Sequence, residues 1–96
     1  MGIEEILGSK RDEILRIAAK HGVTSIRVFG SVARGEAGPE SDVDFLVEIG
    51  ERVSPWFPAG LIRDLEELLG REVDVVTTNS LHWYLKDRIF AEAVGF

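Results

Sequence analysis

Apolar residues along the chain follow two periods, one near 3.6 and one of two, and the switches between them outline the elements. From about Ile3 to His21, the residues Ile6, Leu7, Ile14, Ile17 and Ala18 recur at helical spacing, and Gly22 follows as a C-terminal stop. Ser9 followed by Asp12 reads as a capping box, so the helix is expected to restart at Gly8-Ser9 after a short first turn. Ser25 to Phe29 is β-branched and aromatic enough for a short strand. Gly30, Gly35, Gly38 and Pro39 then punctuate a turn-rich passage, and Val43 to Ile49 alternates as a second strand. Pro55 and Pro58 bracket a loop that Trp56 and Phe57 are expected to seat on the core, and Pro58 suits a helical first turn. Leu61, Ile62, Leu65, Leu68 and Leu69 form an apolar stripe that ends at Gly70. Glu72 to Thr77 predicts a third strand, and about Ser80 to Val94 a last helix with Leu81, Leu85, Ile89 and Ala93 on one side. This order predicts an α/β (α+β) class protein: a small mixed sheet with helices packed on one face and the other face open.

Composition narrows the setting. A chain of 96 residues with 45% hydrophobic positions reads as a single domain, 1–96, with an adequate core. Without cysteine there are no disulfides and no thiolate metal sites. No apolar run nears the roughly 20 residues of a membrane span, and the acidic, amphipathic start is unlike a signal peptide. A soluble, cytoplasmic protein with no membrane contact is expected. The net charge is −6, and the basic residues are scattered between Lys10 and Arg88 rather than clustered. Direct nucleic-acid binding is therefore not expected, because phosphate backbones are gripped by grouped Lys and Arg.

The second strand carries a feature a core strand does not need. Val43, Phe45, Val47 and Ile49 alternate with Asp42, Asp44, Leu46 and Glu48, so one side is apolar and the other acidic. Carboxylates two residues apart on a strand sit about 7 Å from each other. At an effective dielectric of about 20 they repel by on the order of 2 kcal/mol. A divalent cation would reverse that sign. The third strand repeats the pattern, with Asp74 between Val73 and Val75. If the two strands are neighbours, three carboxylates share an open surface, and such hard oxygen donors suit Mg²⁺ or Mn²⁺. The plainer alternative is three solvated polar positions on a half-exposed sheet, although aspartate is a poor strand former. Ahead of them, Gly30-Ser31 ends a strand and opens a turn or short helix whose N–H groups and hydroxyl can hold an anion. Taken by itself, the pair reads more readily as an ordinary strand-to-helix turn with serine as cap.

Taken together, Gly30-Ser31, ten intervening residues and Asp42-x-Asp44, with Asp74 on a later strand, resemble the nucleotidyltransferase signature of the DNA polymerase β superfamily. The fuller strings "GSVARG", "SDVDFLVE", "LEELLGREVDVVT" and "LKDRIFAEAV" resemble the minimal nucleotidyltransferase (MNT) group over nearly the whole chain. The resemblance implies a nucleotidyltransferase fold and an antitoxin that transfers AMP from ATP to a tyrosine of a partner HEPN-domain RNase toxin. It implies two Mg²⁺ ions about 4 Å apart at the nucleotide's phosphates, with Mn²⁺ as a substitute. Asp42 and Asp44 would bridge both ions, and Asp74 would hold the one at the attacking hydroxyl. Gly30 and Ser31 would cradle the β- and γ-phosphates. Arg34 suits a phosphate clamp, or else pairs with Glu36 or Glu40. The alternative function is a binding antitoxin that masks the toxin without chemistry. Trp83, Phe90 and Val94 give the last helix a second apolar face, suited to a toxin or to another copy of the chain. His21 and His82 have no partner at metal spacing and read as structural or exposed.

Overall fold

The β-branched segments pair into one sheet. The computed structural model describes residues 1–80 and 83–96, and in it strands β1 (Val23–Phe29), β2 (Val43–Ile49) and β3 (Val73–Thr77) lie in the order β1-β2-β3. β1 runs antiparallel to β2, and β2 runs parallel to β3, so the sheet is mixed, as the sequence predicts. Parallel neighbours need a crossover connection, and helix α4 (Ala59–Leu69) supplies it. The register sets Phe29 against Asp44 on one side and Asp74 against Asp44 on the other.

Alternation along β2 decides where the core lies. Val43, Phe45 and Val47 are fully buried, together with Ile26 and Val28 of β1 and Val73 of β3. Against them pack Ile14 and Ala18 of helix α2 (Arg11–Lys20) and Leu61 and Leu65 of α4. Leu7, just after the short helix α1 (Ile3–Ile6), and Val32 complete the cluster. Truncating one of these leucines to alanine is expected to cost about 2–5 kcal/mol.

Two local expectations need correction. α2 begins at Arg11 with no side-chain cap, because Ser9 falls inside a 3₁₀ turn at Gly8–Lys10. Lys10 instead donates to the Leu68 carbonyl near the end of α4, 2.9 Å away, where a cation is favoured. Trp56 does not seat its loop. It is 75% exposed, and only Phe57 packs against the core. The loop is tied down by His21, which is 4% exposed. Its Nδ1 bonds Ser54 Oγ at 2.7 Å and its Nε2 bonds Asp64 Oδ2 at 2.8 Å. The structural reading of His21 therefore stands, while His82 lies outside the described residues.

The chain's end differs most. Helix α5 (Trp83–Glu92) stops before Val94, whose N–H and C=O both bond to Val28 at the free edge of β1. That pairing shields an otherwise open edge. Phe96 then reaches the Phe45 ring, with centroids 6.0 Å apart. Leu46 points away from the main core yet is only 1% exposed. Opposite it in register, Arg27 holds its guanidinium 5.2 Å from the centre of the Phe90 ring in α5. So α5 roofs part of the face expected to carry no helix, around Leu46, while Asp42 and Asp74 on that face stay exposed. Among the described residues no helix is long and apolar enough to cross a membrane.

Candidate active site

The acidic face assembles from two strand positions and one residue just outside a strand. Asp44 lies in β2, and Asp74 stands beside it in β3 by parallel register. Adjacent strands are about 4.8 Å apart, so these two carboxylates share one patch of surface. Asp42 comes immediately before β2, is exposed, and projects to the same side by alternation. Asp44 itself is half-buried. Burial, and after it the charges of Asp74, Asp42 and Glu92, raise its carboxyl above the usual carboxylate range, with Arg34 opposing. Among the described residues no three acidic or imidazole groups already stand at metal-coordinating distance. An all-oxygen donor set with a surplus of negative charge nevertheless fits a hard divalent cation, which would draw the groups inward.

The sequence brings the Gly-Ser pair onto this patch by ending β1 opposite Asp44. Phe29 is extended, and helix α3 (Gly30–Arg34) starts at the next residue. Gly30 adopts φ +75°, and a Cβ placed there would run into Asp44 Oδ2. Glycine is needed twice over, for the left-handed backbone and for the carboxylate packed on it. Ser31 follows Gly30 as the second residue of α3 and is half-buried. Thus Gly30, Asp42, Asp44 and Asp74 come together, with Ser31 next to Gly30 in sequence.

Arg34 also reaches the site, although its charge is already engaged. Its Nε donates to Glu36 Oε2 at 3.1 Å and its Nη1 donates to Glu92 Oε1 at 2.8 Å. The same Glu92 oxygen accepts the Gly30 N–H at 2.6 Å. Pairing with Glu36 matches one of the two readings of Arg34; pairing with Glu40 does not occur. Glu92 is the residue that sequence reasoning missed. It lies within the "LKDRIFAEAV" string, but nothing in a helical period says that it folds back onto Gly30.

The nucleotidyltransferase domain pattern matches residues 11–95. The chain belongs to the nucleotidyltransferase domain family. It is 50% identical over 94 residues to a Methanocaldococcus jannaschii chain named as a candidate protein adenylyltransferase, covering 98% of this chain and 97% of that one. It is 40% identical over 92 residues to protein adenylyltransferase MntA of Thermococcus cleftensis, covering 96% of this chain and 90% of that one. A solved candidate minimal nucleotidyltransferase superposes with a TM-score of 0.85 at 41% identity, over 100% of this chain and 97% of that one. More distantly, the fold matches a Shewanella oneidensis complex of a tri-AMPylated HEPN toxin with an MNT antitoxin. There the TM-score is 0.63 at 21% identity, over 95% of this chain and 69% of that one, and the likeness is one of fold. The chain is accordingly a minimal nucleotidyltransferase, an enzyme class whose substrate is a nucleotide.

Proposed function

We propose that this minimal nucleotidyltransferase transfers AMP from ATP to a tyrosine hydroxyl of a partner HEPN-domain RNase toxin in the cytoplasm. The observation that carries the reading is Asp44, set beside Asp74 and packed beneath Gly30, so that an acidic patch and an anion-binding turn share one edge. In the transfer the tyrosine oxygen attacks the α-phosphorus, a new P–O bond forms, and the bond to the bridging oxygen breaks to release pyrophosphate. Asp74, exposed and beside Asp44 in the next strand, accepts the hydrogen bond of the incoming hydroxyl and is the first stop for its proton. Gly30 N–H, Ser31 and Arg34 hold the β- and γ-phosphates. Mg²⁺ ions, two in number and replaceable by Mn²⁺, would be held by Asp42, Asp44 and Asp74 and supply charge neutralisation at the phosphates.

The proposed contact with the toxin runs through the C-terminal segment around α5, with Trp83, Phe90 and Val94 as its first candidates. The Phe90 ring is engaged by Arg27 and Lys86, Val94 lies beyond the helix, and the Trp83 side chain is outside the described residues. Among the described side chains of α5, Lys86, Asp87, Arg88 and Ala91 are exposed, which suits a charged partner surface or a second copy of the chain.

One observation favours the masking alternative: Glu92 occupies the donors that a nucleotide would use. The two readings separate in one experiment. The toxin is incubated with wild type or Asp74→Asn, ATP and Mg²⁺, and its intact mass is measured. Gain of one or more AMP units with wild type and none with Asp74→Asn supports transfer. A toxin silenced by both chains without a mass change supports masking and removes the enzymatic reading.

A further inference from the structure

The Glu92 carboxylate sits where the proposed chemistry needs phosphate oxygens. Its Oε1 accepts both the Gly30 N–H, at 2.6 Å, and the Arg34 Nη1–H, at 2.8 Å. A carboxylate oxygen and a phosphate oxygen ask the same thing of these donors, and both cannot be served at once. Glu92 is also the last residue of α5, two positions before Val94, which is hydrogen-bonded to β1. Its side chain is therefore a strap from the C-terminal segment to α3. Its charge adds to that of Asp42 and Asp74 around Asp44.

We infer that Glu92 is an internal competitor for the phosphate donors, a latch that the triphosphate of ATP must displace, so that nucleotide entry frees the end of α5 from α3. The inference rests on the reading of Gly30 and Arg34 as nucleotide ligands. ATP prevails at sufficient concentration because it brings several anionic oxygens where Glu92 brings one carboxylate. The latch still sets a threshold, since apparent affinity falls by the fraction of molecules in the open state. A strap closed nine-tenths of the time weakens binding about tenfold.

The test titrates ATP with Mg²⁺ into the full chain by calorimetry, using wild type, Glu92→Gln, Glu92→Ala and Asp87→Asn. Asp87→Asn removes the same charge from the exposed side of the same helix without touching the donors. Both Glu92 variants are expected to bind ATP on the order of tenfold more tightly than wild type. Asp87→Asn should stay within about twofold of wild type. Hydrogen exchange gives a second readout independent of catalysis. ATP should speed exchange of the α5 amides in wild type, whereas in Glu92→Gln they should exchange fast before ATP is added. Equal or weaker ATP binding by both Glu92 variants, or a gain matched by Asp87→Asn, overturns the latch and leaves the nucleotide site standing. Failure of every chain to bind ATP at millimolar concentration overturns the nucleotide site, and the latch with it.

Discussion

Replacing Asp44 by asparagine should stabilise the metal-free protein. Asp44 lies about 5 Å from Asp74 across the strands and about 7 Å from Asp42 along them. Each such pair repels by about 2–3 kcal/mol at an effective dielectric of 20, and by well under 1 kcal/mol if water screens it fully. Asp42 and Asp74 are exposed, which places both pairs toward the lower end, and Arg34 offsets part of the remainder. No described residue donates a hydrogen bond to the Asp44 side chain, so the amide forfeits nothing specific. A net gain of about 1 kcal/mol raises the melting temperature of a domain this small by about 4–8 °C. The pH dependence has a definite sign. The Asp44 carboxyl is held above its ordinary range in the folded state, so its ionised form destabilises the fold at neutral pH. That penalty fades as pH falls through the raised value, and below the unfolded value of about 3.9 it is absent. The advantage of Asp44→Asn over wild type should accordingly be present at pH 7 and disappear by about pH 3. Melting followed by circular dichroism in chelator, at both pH values, measures it. Added Mg²⁺ with ATP should then raise the wild-type melting temperature and move that of Asp44→Asn much less, because only ligands bound by the folded state stabilise it. A mutant that melts below wild type at pH 7 in chelator would mean that the carboxylate holds the fold together, and the repulsion argument would be wrong.

Gly30→Ala and Gly35→Ala form a matched pair, since both glycines sit at φ +75° but only Gly30 has the Asp44 carboxylate against it. Gly35→Ala should cost about 1–2 kcal/mol of backbone strain and leave ATP binding unchanged, while Gly30→Ala should cost more and abolish binding; denaturant melts and calorimetry report both. Asp64 donates nothing but accepts from His21 and Lys20, and the His21 hydrogen bond chiefly holds its carboxyl below the usual range. Stability from that group is fully present above about pH 4 and lost as pH falls through its lowered value. Denaturant melts should therefore show wild type more stable than Asp64→Asn by about 1–2 kcal/mol at pH 6, with the gap closing below pH 4.

Much of the fold and half of the site are properties of local sequence. The period-two run from Val43 to Ile49 has the bounds of β2, because a strand buried on one face must alternate and seven residues suffice to show it. Gly70 closes α4, and Gly22 follows α2, at positive φ where only glycine is at ease. The acidic face was readable for the same reason: Asp42 and Asp44 share the parity that opposes Phe45. Asp74 could be assigned to its strand but not to its neighbour, since strand order comes from how α4 crosses over rather than from any residue in β3. Side chains that point outward from a local turn were harder to read. Trp56 is as apolar as Phe57, yet the turn sends one to solvent and the other to the core. The His21–Ser54–Asp64 tie joins positions separated by more than 30 residues, so no period contains it. The C-terminal segment was least legible of all. Helical spacing extends it to Val94, but β1 has an unpaired edge and Leu46 an uncovered apolar side chain, and both are satisfied only if the helix stops early and folds across the sheet. The same fold-back carries Glu92 to Gly30 and Arg34, an ion pair between residues 58 positions apart. Periodicity records which face of an element seeks the core; which partner meets that face, and which carboxylate reaches which donor, is decided only once the elements have packed.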